Sequence, residues 1–141
     1  MVSFHSIENM NSHRQRESFF NYLSRNTSTC GVLLSTCNRL EYYWGDGYIS
    51  EEIVSHLFTV TAGLKSSFIG DTSIQGQVKT AYLGACKNKQ LNKSLHKLFQ
   101  TALFVGKRVR SETGLSTGAV SYAQAVLEVL CNRNLLLDNT N

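Results

Sequence analysis

Residues 30–44 read CGVLLSTCNRLEYYW, and this stretch predicts the centre of the fold. Its first part, 30–35, is a short apolar run of the kind that forms a central strand. Its last part, 40–44, is rich in aromatic residues, which favour strands, and it stops at the turn signal Gly45-Asp46-Gly47. Between the two parts lies Thr36-Cys37-Asn38-Arg39. We therefore expect two strands joined by a tight polar connection.

The flanking sequence adds one strand and several helices. Residues 2–7 alternate apolar and polar side chains, which predicts a half-buried strand, and residues 12–24 fit a helix with Phe19, Phe20 and Leu23 as its apolar positions. Apolar residues then recur at helical spacing in four segments: 53–64, 74–85, 95–109 and 120–130. The order strand, helix, strand, strand and then helices predicts an α+β domain in which helices cover a small antiparallel sheet.

The composition fits one globular domain. The chain has 141 residues, of which 42% are hydrophobic and 17% charged, whereas disorder requires low hydrophobicity and high charge. No apolar run approaches the roughly 20 residues of a membrane helix, and the N-terminus lacks the pattern of a secretory signal. We therefore expect no membrane partner, a cytoplasmic location and reduced cysteines. None of the four cysteines forms a Cys-x-x-Cys pair, so no metal site is expected.

Basic residues are concentrated in one part of the chain, although the net charge is only +4. Seven of them lie within residues 87–110: Lys87, Lys89, Lys93, Lys97, Lys107, Arg108 and Arg110. Such a run most often forms the solvated face of a helix, and the alternative is a surface that binds a nucleic acid. Both interpretations stay open at this point.

Cys37 is the cysteine whose surroundings suggest chemistry. A thiol becomes a strong nucleophile only as the thiolate, and a nearby cation stabilises that form. Arg39 supplies such a charge if the turn directs both side chains toward one cleft, and polar groups at Thr36 and Asn38 are suited to orient a substrate. The alternative is that Cys37 is a small residue in a turn, which is the commoner case for an isolated cysteine. The other three cysteines are interpreted as structural.

Three blocks of sequence, in order, resemble one known family. The first is Ser35-Thr36-Cys37-Asn38-Arg39 with the strand that follows it. The second begins at His56, continues through Ala62-Gly63-Leu64-Lys65-Ser66 and ends at Tyr82. The third is Lys107-Arg108-Val109-Arg110-Ser111-Glu112-Thr113, with Val120-Ser121 shortly after. Together they resemble the N-terminal catalytic domain of the glutamyl-tRNA reductases.

This resemblance implies a reaction and a partner. In the family a cysteine thiolate, Cys37 here, attacks the ester that joins glutamate to its tRNA and forms a thioester. NADPH then reduces the thioester to glutamate-1-semialdehyde, which enters tetrapyrrole synthesis. The expected partner is therefore glutamyl-tRNA, and the expected fold is a ferredoxin-like sheet.

The resemblance also implies roles for individual residues. His56 matches a histidine important for activity, which acts as a general base, a thiolate partner or a hydrogen-bonding prop. The residues expected to contact the substrate are Thr36, Asn38, Arg39, Ser66, Asp71, Ser73 and Gln77. The fork of Arg39 suits a substrate carboxylate, which competes with its thiolate-stabilising role, and both possibilities remain.

Three features depart from the family pattern. Asp71-Thr72-Ser73 stands where the family usually has Glu-Pro-Gln, so Ser73 is the weakest of the expected site residues. Only 18 residues separate Cys37 from His56, which implies that a helix and a strand are missing and that the sheet has three or four strands. Lys65 replaces a usual Asp and reverses its charge.

The resemblance divides the chain into two parts. Residues 1–115 are the expected catalytic domain, and residues 116–141 are the expected beginning of a long connecting helix and a truncated end. Gly45-Asp46-Gly47 is the only Gly-x-Gly and lacks the third glycine of a dinucleotide site, so this chain is not expected to bind NADPH. The cofactor domain and the domain that makes the family's homodimer are both expected to be absent, which would limit the fragment to acyl transfer or ester hydrolysis.

Two other functions compete with this one. A noncatalytic RNA-binding module would use the basic residues of 87–110 and would not need Cys37. A degenerate paralogue would have lost activity through the altered loop at residues 71–73.

Overall fold

The computed structural model of the chain describes residues 1–8, 12–27, 30–36, 39–65, 73–87 and 91–113. In these residues the elements are β1 (Ser3–Glu8), α1 (His13–Asn26), β2 (Val32–Ser35), β3 (Arg39–Trp44), α2 (Glu51–Thr61), α3 (Ser73–Lys87) and α4 (Lys93–Thr113). The predicted α+β class and the predicted order of elements are therefore confirmed. The helix expected at 120–130, where the connecting helix would begin, lies outside the described residues.

The three described strands form one antiparallel sheet in the order β1-β3-β2. β3 is central, and Glu41 lies at its middle, with Ser6 of β1 opposite on one side and Leu34 of β2 on the other. The predicted tight connection between β2 and β3 is closed by a 2.9 Å hydrogen bond from the Thr36 N–H to the Arg39 carbonyl. The described sheet thus has three strands, which agrees with the three or four that the short spacing before His56 predicted.

The two faces of β3 carry different residues, because successive side chains of a strand point to opposite faces. Leu40 packs against Phe19 and Leu23 of α1, with Tyr42 and Trp44 on the same face. Arg39, Glu41 and Tyr43 point to the opposite face, which the remaining helices cover. A charged pair is therefore directed into the interior of the protein.

The main hydrophobic core lies between that second face and the layer of α2, α3 and α4. Leu57 and Phe58 of α2 and Phe99 of α4 are almost completely buried there. Each such side chain stabilises the fold by about 1.5–3 kcal/mol. Within the described ranges, no helix combines the length and the apolar character needed to cross a membrane.

The helices α2 and α4 are fastened to each other and to the turn after β3. The Asn92 side-chain amide donates to the Gly45 carbonyl over 2.7 Å, and its oxygen accepts the Leu95 N–H at the start of α4. Further along α4, Arg110 donates to the carbonyl of Thr61 over 3.2 Å. The start of α4 is therefore held to the turn after β3, and its later part is held to the end of α2.

The start of β2 depends on a residue without a side chain. A Cβ atom at Gly31 would lie 2.0 Å from the carbonyl oxygen of Tyr43 and 2.9 Å from the ring of Tyr42. Because the first of these contacts is with backbone, the clash cannot be relieved by rotating a side chain. β2 and β3 approach this closely only with glycine at position 31.

We expect Gly31→Ala to reduce the free energy of unfolding by about 2–3 kcal/mol, because the strands must separate to admit the methyl group. Gly84→Ala is the matched control: nothing lies within 4 Å of its added Cβ, and it sits inside α3, where alanine stabilises a helix by about 0.5–1 kcal/mol. Urea denaturation followed by circular dichroism measures both. Equal effects of the two substitutions would contradict the close approach at Gly31.

Candidate active site

Glu41 is the centre of a buried polar cluster on the face of β3 that α2, α3 and α4 cover. Its side chain is 0% exposed. One carboxylate oxygen, Oε2, accepts hydrogen bonds from Arg39 and from His56, each at 2.6 Å, and from Ser6 at 3.0 Å. The other, Oε1, accepts the Tyr43 hydroxyl at 2.6 Å. Four donors therefore satisfy a carboxylate that has no access to water.

These contacts keep Glu41 ionised. Burial alone disfavours the charged form, but the hydrogen bonds that His56, Tyr43 and Arg39 donate outweigh it and lower the pKa of Glu41 from 4.5 to about 2. Burial and the neighbouring Glu41 charge raise the pKa of Tyr43 well above its ordinary value of 10, so the phenol remains a neutral donor.

Arg39 is held almost entirely inside the protein, with 6% of its surface exposed. Its guanidinium bonds Glu41 at 2.6 Å, Glu8 at 3.0 Å and the Lys65 carbonyl at 3.2 Å. Burial opposes its charge, but the hydrogen bonds and charges of Glu41 and Glu8 outweigh this and raise its pKa. The expected bidentate bond to a substrate carboxylate thus competes with two carboxylates of the protein itself.

His56 projects from α2 and closes the cluster. Its Nε2 lies 2.6 Å from Glu41, and its Nδ1 lies 2.7 Å from the Lys65 ammonium. The Phe4 ring packs beside the imidazole, with 4.9 Å between ring centroids. The two residues expected from the resemblance, Arg39 and His56, are therefore brought together through Glu41.

The expected nucleophile follows a described residue directly. Thr36 follows the last residue of β2, and its N–H donates to the Arg39 carbonyl on the other side of Cys37 and Asn38. Cys37 and Asn38 lie outside the described residues, as do Ser66 and Asp71. The described free cysteines are Cys30, which is exposed, and Cys86, whose sulfur lies 3.9 Å from Nδ1 of His96.

Ser73 and Gln77 lie together on α3, along an open groove of about 450 Å³ between this helix and β2. The described residues that line the groove are Leu33, Ser35, Ser73, Gly76, Gln77, Thr80 and Ala81. Hydroxyl and amide groups dominate its polar lining, and Ser35 immediately precedes Thr36. The groove has the chemistry to hydrogen-bond a small polar group.

Glu41 is the functional residue that sequence reasoning missed. A signal was available: Arg39, Glu41 and Tyr43 alternate along β3, which puts them on one face of the strand. Leu40, Tyr42 and Trp44 then form an apolar opposite face that needs its own cover. If both faces of β3 are covered, Arg39 and Glu41 must lie in the interior of the protein. The sequence did not indicate that Lys65 contacts His56; the one unusual feature at this position is a lysine where the family usually has an aspartate.

The Gly45-Asp46-Gly47 segment does not fit a nicotinamide cofactor. The Asp46 carboxylate accepts hydrogen bonds from the Ser94 hydroxyl and the Gly47 N–H, both at 2.8 Å. The Gly47 N–H is therefore already bonded within the protein. The helix that follows, α2, carries Glu51 and Glu52 in its first turn, where negative charge repels a pyrophosphate. No step involving NADPH is therefore assigned to these residues.

The fold and the site define the class of protein. A family model described as "Glutamyl-tRNAGlu reductase, N-terminal domain" matches residues 46–113. A solved structure, glutamyl-tRNA reductase from Methanopyrus kandleri, superposes with a TM-score of 0.62 and 30% identity, covering 93% of this chain and 39% of that one.

Two curated relatives give the particular family. The glutamyl-tRNA reductase of Thermoplasma acidophilum is 39% identical in an alignment that covers 79% of this chain and 30% of that protein. That of Carboxydothermus hydrogenoformans is 35% identical in an alignment that covers 85% of this chain and 33% of the relative. The chain belongs to the glutamyl-tRNA reductase family and corresponds to its N-terminal domain. It spans about a third of the length of these relatives.

We expect the stability of the chain to depend on pH through Glu41. Because its folded pKa lies below its unfolded value, its contribution is complete above about pH 4.5 and is lost as the pH falls toward 2. Glu41→Gln removes the buried one of the two carboxylates that Arg39 contacts, leaves Glu8, and should cost about 3 kcal/mol at pH 7.

Urea denaturation of both proteins at several pH values measures the difference between them, which should shrink as the pH approaches 2. Glu52→Gln, an exposed site in the first turn of α2, is the control and should show a small difference. A difference between wild type and Glu41→Gln that stayed constant from pH 7 to pH 2 would be inconsistent with an ionised Glu41.

Proposed function

We propose that this chain performs the acyl-transfer step of a glutamyl-tRNA reductase, with Cys37 as the nucleophile. The observation that carries the proposal is the anchoring of Arg39. This residue stands two positions after Cys37, its backbone closes the connection to Thr36, and its side chain is fixed by the buried Glu41. The described residues on either side of Cys37 and Asn38 are thus fixed, and a precisely placed reacting group is what covalent catalysis requires.

The proposed reaction begins with the Cys37 thiolate. Its sulfur attacks the carbonyl carbon of the glutamyl ester, a carbon–sulfur bond forms, and the carbon–oxygen bond to the terminal ribose breaks. The ribose oxygen leaves and takes up a proton, so that free tRNA and a glutamyl thioester on the protein are the products. A thioester carbonyl accepts hydride more readily than an ester does.

The groove beside α3 is the proposed position of the glutamyl group. Gln77 and Ser73 line it, and their amide and hydroxyl donors suit the free carboxylate of a glutamyl side chain. In this proposal Thr36, Asn38, Ser66 and Asp71 complete the surroundings of the ester. Arg39, already bonded to Glu41 and Glu8, acts mainly by holding the connection and adding positive charge near it.

The reduction of the thioester to glutamate-1-semialdehyde, the step that leads to tetrapyrroles, belongs in this proposal to the whole reductase. NADPH is proposed to be bound outside the described residues, and we assign no hydride-transfer step to them. The homodimer is likewise proposed for the whole enzyme.

We expect the chain, mixed with glutamyl-tRNA and no cofactor, to gain a glutamyl group on Cys37. Cys37→Ser should reduce this labelling at least about 100-fold, because a serine hydroxyl is a far weaker nucleophile at neutral pH. Mass spectrometry of the acid-quenched protein, followed by peptide mapping, locates the adduct.

Cys30→Ser and Cys86→Ser are the matched controls, since each removes one thiol and both should retain labelling. Glutamate found on Cys30 or Cys86 would overturn the assignment. Alkylation by iodoacetamide gives a second measurement: a Cys37 thiolate should react fastest of the four thiols near pH 7.

The outer face of α4 supports tRNA as the partner. Lys93, Lys97 and Lys107 are exposed at helical spacing along one side of this helix, which is about 30 Å long. Phe104 on the same side is 44% exposed, with the Arg108 guanidinium 5.9 Å from its ring centroid. Cations that follow a backbone and an aromatic ring that stacks on a base are the two features of single-stranded RNA binding.

We expect the triple variant Lys93→Gln, Lys97→Gln, Lys107→Gln to bind tRNA more weakly and with a salt dependence reduced by about 2 in the slope of log K against log salt. The charge-matched control is Arg14→Gln, Arg25→Gln, Lys79→Gln, whose positions are exposed on α1 and α3. Fluorescence anisotropy at several salt concentrations measures the slopes. Identical slopes in both triple variants would show that the α4 lysines only face water.

A further inference from the structure

We infer that Lys65 fixes His56 as a neutral imidazole with its hydrogen on Nε2, so that His56 is a positioning residue and does not act as a general base. The tautomer follows from hydrogen bonds in the described residues alone. Only its catalytic meaning rests on the proposed function. Of the three roles open to His56, general base, thiolate partner and prop, the geometry points to the last.

The contact with Lys65 determines the state of one ring nitrogen. An ammonium group has three donors and no acceptor, so the Lys65 Nζ donates across the 2.7 Å to Nδ1 of His56. Nδ1 must therefore offer a lone pair and carry no hydrogen. A proton on Nδ1 would place two donors of like charge against each other at hydrogen-bonding distance.

The contact with Glu41 determines the state of the other nitrogen. The Oε2 atom of an ionised carboxylate can only accept, so Nε2, 2.6 Å away, carries the hydrogen and donates it. This carboxylate is charged because Arg39, Tyr43 and Ser6 also donate to it. The ring is thus held between an obligatory donor on one side and an obligatory acceptor on the other.

The charges around the ring balance only when the imidazole is neutral. Two carboxylates, Glu41 directly and Glu8 through Arg39, face two cations, Arg39 and Lys65. From β1 the remaining neighbour is the uncharged ring of Phe4. A second proton on His56 would place another N–H donor and an unbalanced positive charge 2.7 Å from the Lys65 ammonium.

The consequence concerns the chemistry of the site. Both ring nitrogens are already engaged, so His56 has no lone pair directed at a thiol or a leaving group. It transmits the position of Lys65, whose side chain is exposed, to the buried Glu41 and thereby to Arg39. The proton movements of acyl transfer must then use another group.

Nitrogen-15 NMR of the full chain labelled on its histidine rings tests the tautomer. His56→Gln identifies the His56 signals among the four histidines. At neutral pH the expected spectrum shows a hydrogen on Nε2 and none on Nδ1. Lys65→Met removes the donor and should let Nδ1 gain a hydrogen, while the control Lys79→Met, an exposed lysine of α3, should leave the His56 signals unchanged. A hydrogen on Nδ1 in the wild type, or identical wild-type and Lys65→Met spectra, would overturn the inference.

The pH profile of Cys37 labelling by glutamyl-tRNA separates this inference from the proposed function. Wild type and His56→Gln should show the same inflections, with a lower rate in the variant. An inflection present in wild type and missing in His56→Gln would identify His56 as a general base and refute the positioning role. If no labelling of Cys37 occurs although the tautomer is as expected, the proposed function fails and the inference about Lys65 stands.

Discussion

The ionised carboxylate of Glu41, enclosed between the sheet and the helices, is the constraint on which the rest of the structure depends. A buried charge is tolerated only when partners replace its water, and removing one partner is costly. Here the partners come from three elements: Ser6 from β1, Arg39 and Tyr43 from β3, and His56 from α2. Strand register, helix position and site geometry are therefore set by the same group of hydrogen bonds.

Much of the fold was predictable because its elements carry clear periodicity. The alternation at residues 2–7, the apolar and aromatic runs of 30–44 and the helical stripes at 53–64, 74–85 and 95–109 each correspond to an observed element. Their order also gave the fold class. The position of β3 between β1 and β2 was not predictable from these patterns, because strand order depends on contacts between distant segments, here Ser6 and Leu34 on either side of Glu41.

Only some residues of the candidate site were predictable from the sequence. The motif around Cys37 and the match at His56 named two of its residues through resemblance, and the structure places His56 in a cluster with Arg39. Glu41 was not predicted as a site residue, because an acidic side chain in an aromatic strand is ordinarily expected to face water. The alternation along β3 indicates two different faces, but the helices that cover the charged face come from distant segments of the chain. Lys65 meets His56 only after α2 has ended and the chain has turned at Gly63.

The double fastening of α4 has a mechanical consequence. Asn92 holds the first turn of this helix to Gly45, and Arg110 holds its later part to Thr61 at the end of α2. Close-packed interiors pass displacement on to their neighbours, so a displacement of α4 would be passed on to α2 through the Arg110–Thr61 contact. If tRNA binds the outer surface of α4 as proposed, the load would reach the helix that carries His56. The distance between the imidazole and the Glu41 carboxylate would then respond to what α4 binds.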